Sequence, residues 1–337
     1  MKFLTAKATT AIAAFTIAAL GWSSSAFAQV SLTIYNAQHE TLTQEWADAF
    51  MEDTGIPVTI RNGSDLEMGN QIIQEGANSP ADIFLTENSP AMVLVDNAGL
   101  FEPLPQDILE QVEPGFRPSS GHWTGIAARS TVFAYDKNKL DEASLPKSIM
   151  DLADPAWKGR WAASPAGADF QAIVAAMLSL KGEEATSAWL KAMKENSSAY
   201  RGNRAAMAGV NNGEAEGAVI YHYYWYGDQA NTKESSGNVD LHYFKNQDPG
   251  AFVSVSGGGI LASSKHKDEA KQFLKWLAGP KGQAILRDGT SFEYAVGVGA
   301  ASNPALVPLA DLDPPKVDPS TLDNVKVTEL MTAAGLL

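Results

Sequence analysis

Apolar residues recur along the first third of the chain with two alternating periods. Ser31–Asn36 (S-L-T-I-Y-N) is an apolar run of strand type, and Glu40–Thr54 follows with Leu42, Trp46, Ala49 and Phe50 at helical spacing. Gly55 is the expected C-cap of that helix. Pro57–Arg61 reads as a second strand, and Asp65–Glu75, with Leu66, Ile72 and Ile73, as a second helix closed by Gly76. Ala81–Thr86 is a third strand. Ser89 then serves as an N-cap with Pro90 at the first helical position, and Gly99 ends the helix. Strand and helix alternate three times, which predicts an α/β fold with a parallel, doubly wound sheet.

Ligands of such sheets collect beyond the carboxyl ends of the strands. His39 follows the first strand and Glu87 the third, so the topology brings them to one edge. Taken singly, His39 also reads as a helix-entry residue and Glu87 as a favourable charge near a helix N-terminus. Trp123–Tyr135 reads as extended and leads toward a second lobe, with Arg129 inside it. Arg160–Ser164 is strand-like. The small-residue turn Pro165–Asp169 opens an alanine-rich helix, where free backbone N–H groups make an anion site possible. Glu183–Glu195 is a further helix, and Arg204–Val210 a short one behind Asn203 as N-cap. Val239–Phe244 and Ala251–Ser256 read as strands. Gly257–Gly259 reads as a turn or a close backbone approach, and Lys267–Ala278 as an amphipathic helix packing on the first lobe. A proline-rich tail from Asn303 ends in a short helix, Asp323–Ala334.

The densest signal is Gly217–Gly227, G-A-V-I-Y-H-Y-Y-W-Y-G. Ala218–Tyr221 reads as a strand. Adjacent side chains of a strand point to opposite faces. If Tyr223 and Tyr224 serve one ligand, the backbone must leave strand geometry there, at a strand end or a helix start. A second lobe built this way would face the first across a cleft, with His39 and Glu87 on one wall and the tyrosines on the other. An aromatic cluster also suits core packing or a sugar platform.

Lys2 and Lys7, an apolar run from about Ala11 to Trp22, and Ala26-Phe27-Ala28 form a secretory leader with cleavage expected after Ala28. Removing the leader takes the net charge from −14 to −16, which argues against nucleic acid as a partner. There is no cysteine, which excludes disulfides, zinc–thiolate sites, iron–sulfur clusters and thiol nucleophiles. His39-Glu40-Thr41-Leu42-Thr43 starts like a zinc-protease helix, but Thr43 stands where a second histidine must be. Nucleophile-elbow, dinucleotide and phosphate-loop patterns are absent, which leaves binding.

As one set, His39, Glu87, Tyr223 and Tyr224 offer one neutral nitrogen and three oxygens that become anionic. A phenol titrates near 10, so phenolate at neutral pH needs a strong cation, and a hard trivalent ion such as Fe³⁺ provides it. Four ligands leave two octahedral positions for an anion or water. An organic cation or sugar stacked on Tyr221, Tyr224 and Trp225 is the competing reading. A glycoside hydrolase using Glu87 and Asp65 is a third.

The chain resembles the bacterial periplasmic ferric-ion-binding proteins, the solute-binding components of iron ABC transporters, over essentially its whole mature length. The resemblance rests on Y-N-A-Q-H at Tyr35–His39, S-P-A-D-I-F-x-x-E at Ser79–Glu87, A-R-S-T-V-F-A-Y-D at Ala128–Asp136, Y-Y-W at Tyr223–Trp225 and D-P-G-A at Asp248–Ala251. It implies a type II, transferrin-like protein with two lobes, 29–130 plus about 254–303 and 131–253 plus about 304–337. Hinge strands are expected near Arg129–Val132 and Ser254. It implies His39, Glu87, Tyr223 and Tyr224 as Fe³⁺ ligands in a monomeric, non-enzymatic periplasmic protein that serves an inner-membrane ABC permease. A synergistic anion (phosphate, carbonate or citrate) or water is expected to complete the shell, with Ala166, Gly167, Ala168, Asn203, Asn88 and Arg129 as its candidate site. The family's serine in that turn, asparagine before the tyrosines and glutamine after the glutamate are not kept here.

Overall fold

The computed structural model describes residues 31–337, so the leader and its cleavage site after Ala28 lie outside the described residues. The alternating apolar runs form β1 (Leu32–Asn36), α1 (Glu40–Thr54), β2 (Val58–Asn62), α2 (Asp65–Glu75), β3 (Ile83–Leu85) and α3 (Ser89–Asn97). The chain continues through α4 (Gln106–Leu109), β4 (Trp123–Asp136), β5 (Trp161–Ala163), α5 (Ala168–Asn196), β6 (Ser197–Ala199) and α6 (Asn203–Asn211). It closes with β7 (Gly217–Tyr221), α7 (Tyr223–Ala230), β8 (Val239–His242), β9 (Val253–Ile260), α8 (Lys267–Ala278), α9 (Pro280–Asp288) and α10 (Asn324–Ala333).

β1 lies between β2 and β3, parallel to both. Both faces of this sheet are covered, which is why its strands read as nearly continuous apolar runs. Leu32 and Ile34 pack with Trp46, Phe50 and Phe273 on one side. Tyr35 and Phe84 pack with Met68, Ile72 and Met92 on the other. In the other half of the molecule, β5 lies parallel to β7 and β6. Ala162, Met207 and Ile220 fill one face of that sheet. Trp157, Trp161, Phe170 and Trp189 fill the other.

The two halves share one strand. The first part of β4, Trp123–Ser130, pairs antiparallel with β9, and its continuation from Thr131 pairs antiparallel with β7. The strand order is therefore continuous, β2-β1-β3-β9-β4-β7-β5-β6, with β8 also on β4. Each half carries the carboxyl ends of its parallel strands toward this crossing.

Local differences from the sequence expectations have physical reasons. Asn88, in extended conformation, is the N-cap residue of α3, and Ser89 is its first helical residue, its hydroxyl donating to the Val255 carbonyl instead of capping. Gly202, at φ 99°, takes the N-cap position of α6 and frees the Asn203 side chain for another partner. Gly182, at φ 80°, breaks α5 where the sequence separates two helices. Gly257–Gly259 is not a turn but the interior of β9. A Cβ at Gly257 would meet Met92 at 2.3 Å and one at Gly259 would meet Phe101 at 2.6 Å, so the close-approach reading holds.

Candidate metal centre

His39 stands at the N-cap position of α1, just past β1, and Glu87 just past β3. Across from them, β7 ends at Tyr221, His222 turns the chain, and Tyr223 and Tyr224 form the first turn of α7. The helix start solves the problem that a strand would pose. The neighbouring rings lie side by side, 4.2 Å between centroids.

These groups meet in one unbroken chain of contacts. His39 Nε2 lies 2.8 Å from Glu87 Oε1. The Tyr223 hydroxyl donates to that same oxygen at 2.7 Å and lies 3.2 Å from Asp169 Oδ2. The Tyr224 hydroxyl donates to Asp169 Oδ2 at 3.0 Å. Five candidate donors therefore come from four separate stretches of chain, with the ring and both phenols donating to the carboxylates that hold them together. Among the described residues, histidine and carboxylate groups by themselves form no ion site. Tyr223 and Tyr224 add two phenol oxygens to this cluster.

The electrostatics follow from burial. Burial works against charge on His39, but Glu293 and Glu87 outweigh it and lift the imidazole to about 10. Burial would raise Glu87, yet His39 holds it down to about 2. Tyr223 and Tyr224 rise well above 10 through burial and the charges of Asp169 and Glu87. Burial, with Glu87 nearby, also pushes Asp169 up to about 6 and Asp65 to about 8. A set of oxygens that hold protons this firmly gives them up only to a strong, hard cation.

Residues 78–318 match the bacterial extracellular solute-binding protein family. Over 312 residues the chain is 65% identical to the "Fe(3+)-binding periplasmic protein" of Serratia marcescens, covering 93% of this chain and 92% of the relative. The chain belongs to the bacterial periplasmic ferric-ion-binding proteins. Its fold matches iron-bound HitA from Pseudomonas aeruginosa with TM-score 0.84 and 44% identity, covering 91% of this chain and all of HitA. Trichodesmium FutA in complex with iron and citrate matches with TM-score 0.80 and 25% identity, over 91% of this chain and 100% of FutA. As in these ferric-ion-binding proteins, the fold is two-lobed, and the chain is a transport protein rather than an enzyme.

The expected anion residues are placed as follows. Ala166 and Gly167 form the turn before α5, Gly167 is its N-cap residue and Ala168 its first helical one. The Asn88 and Asn203 amides both point into this turn, and both donate to the carboxylate of Asp169, at 3.0 and 2.7 Å. Arg129 is fully buried and pairs with Glu293 rather than with the turn, its Nη2 donating to Glu293 Oε2 at 2.7 Å. The sequence reading named Asp169 only as part of the turn and passed over Glu293, which lies 2.9 Å from His39 Nδ1. The acidic residue at a helix start was the available signal for Asp169.

The competing readings lose their geometry. Tyr221 is wholly buried and bonded to Asn88 and the Asp169 carbonyl, so it offers no face to a solute beside Tyr224. Asp65 is buried and accepts the backbone N–H groups of Glu87 and Asn88, which makes it a brace for the Glu87 turn.

Proposed function

We propose that the mature chain captures Fe³⁺ in the periplasm as a monomer and delivers it to an inner-membrane ABC permease. His39, Glu87, Tyr223 and Tyr224 are its ligands in this reading. The observation that carries it is the contact chain itself, in which His39 and both phenols meet the carboxylates of Glu87 and Asp169. His39 and the two phenols hold three protons among the donors, and a trivalent ion replaces those three charges while turning every one of these groups into a ligand. The names of the relatives support the choice of ferric iron.

The same reading makes Asp169 a fifth donor and the fourth oxygen. Its carboxylate takes the two amides, Asn88 and Asn203, that were expected to hold a synergistic phosphate, carbonate or citrate. One octahedral position then remains for water or a small anion. Closure is assigned to a hinge between lobes 29–130 with 254–303 and 131–253 with 304–337. The change of β4 partner between Ser130 and Thr131, opposite Val253 and Tyr221, supports that division.

The test is a visible spectrum of the metal-stripped protein titrated with ferric citrate. A red-orange phenolate-to-iron band saturating at one iron per chain is expected, lost when both Tyr223→Phe and Tyr224→Phe are introduced. A colourless protein that leaves the iron on citrate would refute the assignment. For Asp169, the wild type should develop full colour in anion-depleted buffer, whereas Asp169→Ala should need added phosphate or carbonate. Equal anion dependence in both would remove Asp169 from the shell.

A further inference from the structure

Glu293 lies 254 positions from His39 in sequence and against it in space. The segment that carries it follows α9 and crosses between the halves. Tyr294 exchanges both backbone hydrogen bonds with Ala128 of β4, at 2.8 and 3.0 Å. Side chains alternate along this segment. Phe292 stacks on Tyr226 at 5.9 Å between centroids and Tyr294 on His222 at 4.7 Å, so both grip the start of α7 that presents the tyrosines. Glu293 points the other way, wholly buried, toward His39.

The backbone is strained at this point. Phe292 has φ 54°, in the left-handed region that a bulky aromatic residue rarely adopts. That conformation sets the direction of Glu293 between its two aromatic neighbours. The two oxygens of Glu293 have different partners. Oε2 takes Arg129 at 2.7 Å and Gln38 at 3.2 Å. Oε1 has no aligned hydrogen-bond donor and faces only the His39 ring, 2.9 Å from Nδ1. Arg129 keeps its Nε and Nη1 unpartnered in the interior, so the buried pair is poorly satisfied as a purely structural device.

Resting on the reading of the site as a ferric-iron centre, we propose that Glu293 is the positioning residue for His39. It holds the imidazole from its Nδ1 side and thereby aims Nε2 at the point shared by Glu87 Oε1 and the Tyr223 hydroxyl. Carboxylates that brace the far nitrogen of a ligating histidine fix its tautomer and orientation, and their loss typically weakens metal binding by about 10–100-fold. Through Phe292 and Tyr294 the brace is also tied to the helix that presents the two phenols, so histidine and tyrosines keep a common frame.

The test is a double-mutant cycle read by competition against citrate. Glu293→Gln should weaken ferric-iron binding by about 10–100-fold while leaving the phenolate band at the wild-type wavelength, because both tyrosines still bind. His39→Ala should weaken binding at least as much, and the double variant should be no weaker than His39→Ala alone. Losses that multiply in the double variant, or a Glu293→Gln protein that binds like the wild type, would overturn the proposal. Glu293→Asp keeps a charge opposite Arg129 while drawing back from His39. It should reproduce the loss and the non-additivity if Glu293→Gln does not fold. A colourless wild type would remove the iron reading and this one with it. A coloured wild type with an unchanged Glu293→Gln removes this one alone.

Discussion

Acidifying the iron-loaded protein from pH 7 to pH 6 should weaken its hold on Fe³⁺ about a thousandfold, because about three protons exchange with the ion. The count comes from the site. His39 is held up to about 10, and Tyr223 and Tyr224 stand well above 10, so at pH 7 each of the three carries a proton that a metal must displace. Each exchanged proton contributes a factor of ten per pH unit, about 1.4 kcal/mol, and three give about 4 kcal/mol. Asp169, raised to about 6, is largely ionised at pH 7 and takes up a proton below pH 6. The dependence should therefore steepen toward about four protons near pH 5 if Asp169 is a ligand. The assay is direct. Metal-stripped protein in weak buffer is titrated with ferric nitrilotriacetate in a pH-stat, and the protons taken up by the freed chelator are measured in parallel and subtracted. Release of fewer than about two protons per iron at pH 7, or a competition midpoint that does not move between pH 7 and pH 6, would refute the assigned donor set.

Arg129→Met should destabilise the protein by about 3–5 kcal/mol, because it removes the buried guanidinium that balances Glu293 and leaves only His39 and Gln38 against that carboxylate; urea denaturation measures it, and an unchanged midpoint counts against the pair. Gly217→Ala should lower the melting temperature, since its Cβ would sit 2.0 Å from the Phe133 ring, an overpacking of about 1–3 kcal/mol; a neutral substitution would mean that the ring moves freely. The metal-free protein should lose stability as pH rises from neutral toward 10. His39 is raised above its unfolded value of 6.5, so its contribution is complete below 6.5 and gone once pH passes about 10. A decline confined to below about pH 8 in His39→Ala, where Asp65 titrates, would confirm His39 as the group responsible for the loss between pH 8 and 10. Reduction with dithionite should bleach the visible band and release the metal to a ferrous chelator, and retention of iron after reduction would contradict the charge balance.

Much of the candidate site was legible because its residues sit at punctuation points of the chain. The helices Glu40–Thr54, Asp65–Glu75 and Lys267–Ala278 announce themselves by apolar spacing, and the structure forms them with those limits. Since β1 precedes the first of them and β3 precedes α3, His39 and Glu87 fall at strand ends where an α/β sheet collects ligands. The Tyr223–Tyr224 pair could share a ligand only off a strand, and α7 begins at Tyr223. What stayed hidden depends on long-range pairing. Asp169 is one of 39 acidic residues, and only Asn88 and Asn203, arriving from two other elements, distinguish it. Asn203 was read as a cap because local sequence suggested one, but its amide is committed across space. The continuity of the sheet through β4 was equally invisible, since no local pattern records that Ser130 faces Val253 while Thr131 faces Tyr221.

Burial is what links the charge of the cargo to the protonation of the site. Tyr223 and Asp169 are each only 4% exposed, Asn88 and Asn203 are buried beside them, and Arg129 and Glu293 are wholly enclosed. Solvent reaches only His39, Glu87 and Tyr224 in part, so a charge mismatch among the buried groups is costly and each state balances largely locally. Without metal, the proton on His39 and those on the two phenols meet this condition. A trivalent ion meets it with all three protons gone and every donor free to bind. A divalent ion of the same size can displace only two at constant charge, leaving a phenol protonated or an extra negative charge in the interior. On the proposed ligand set, a preference for the ferric state would follow from the protons that His39 and the two phenols release, and the predicted acid lability is the same count read in the other direction.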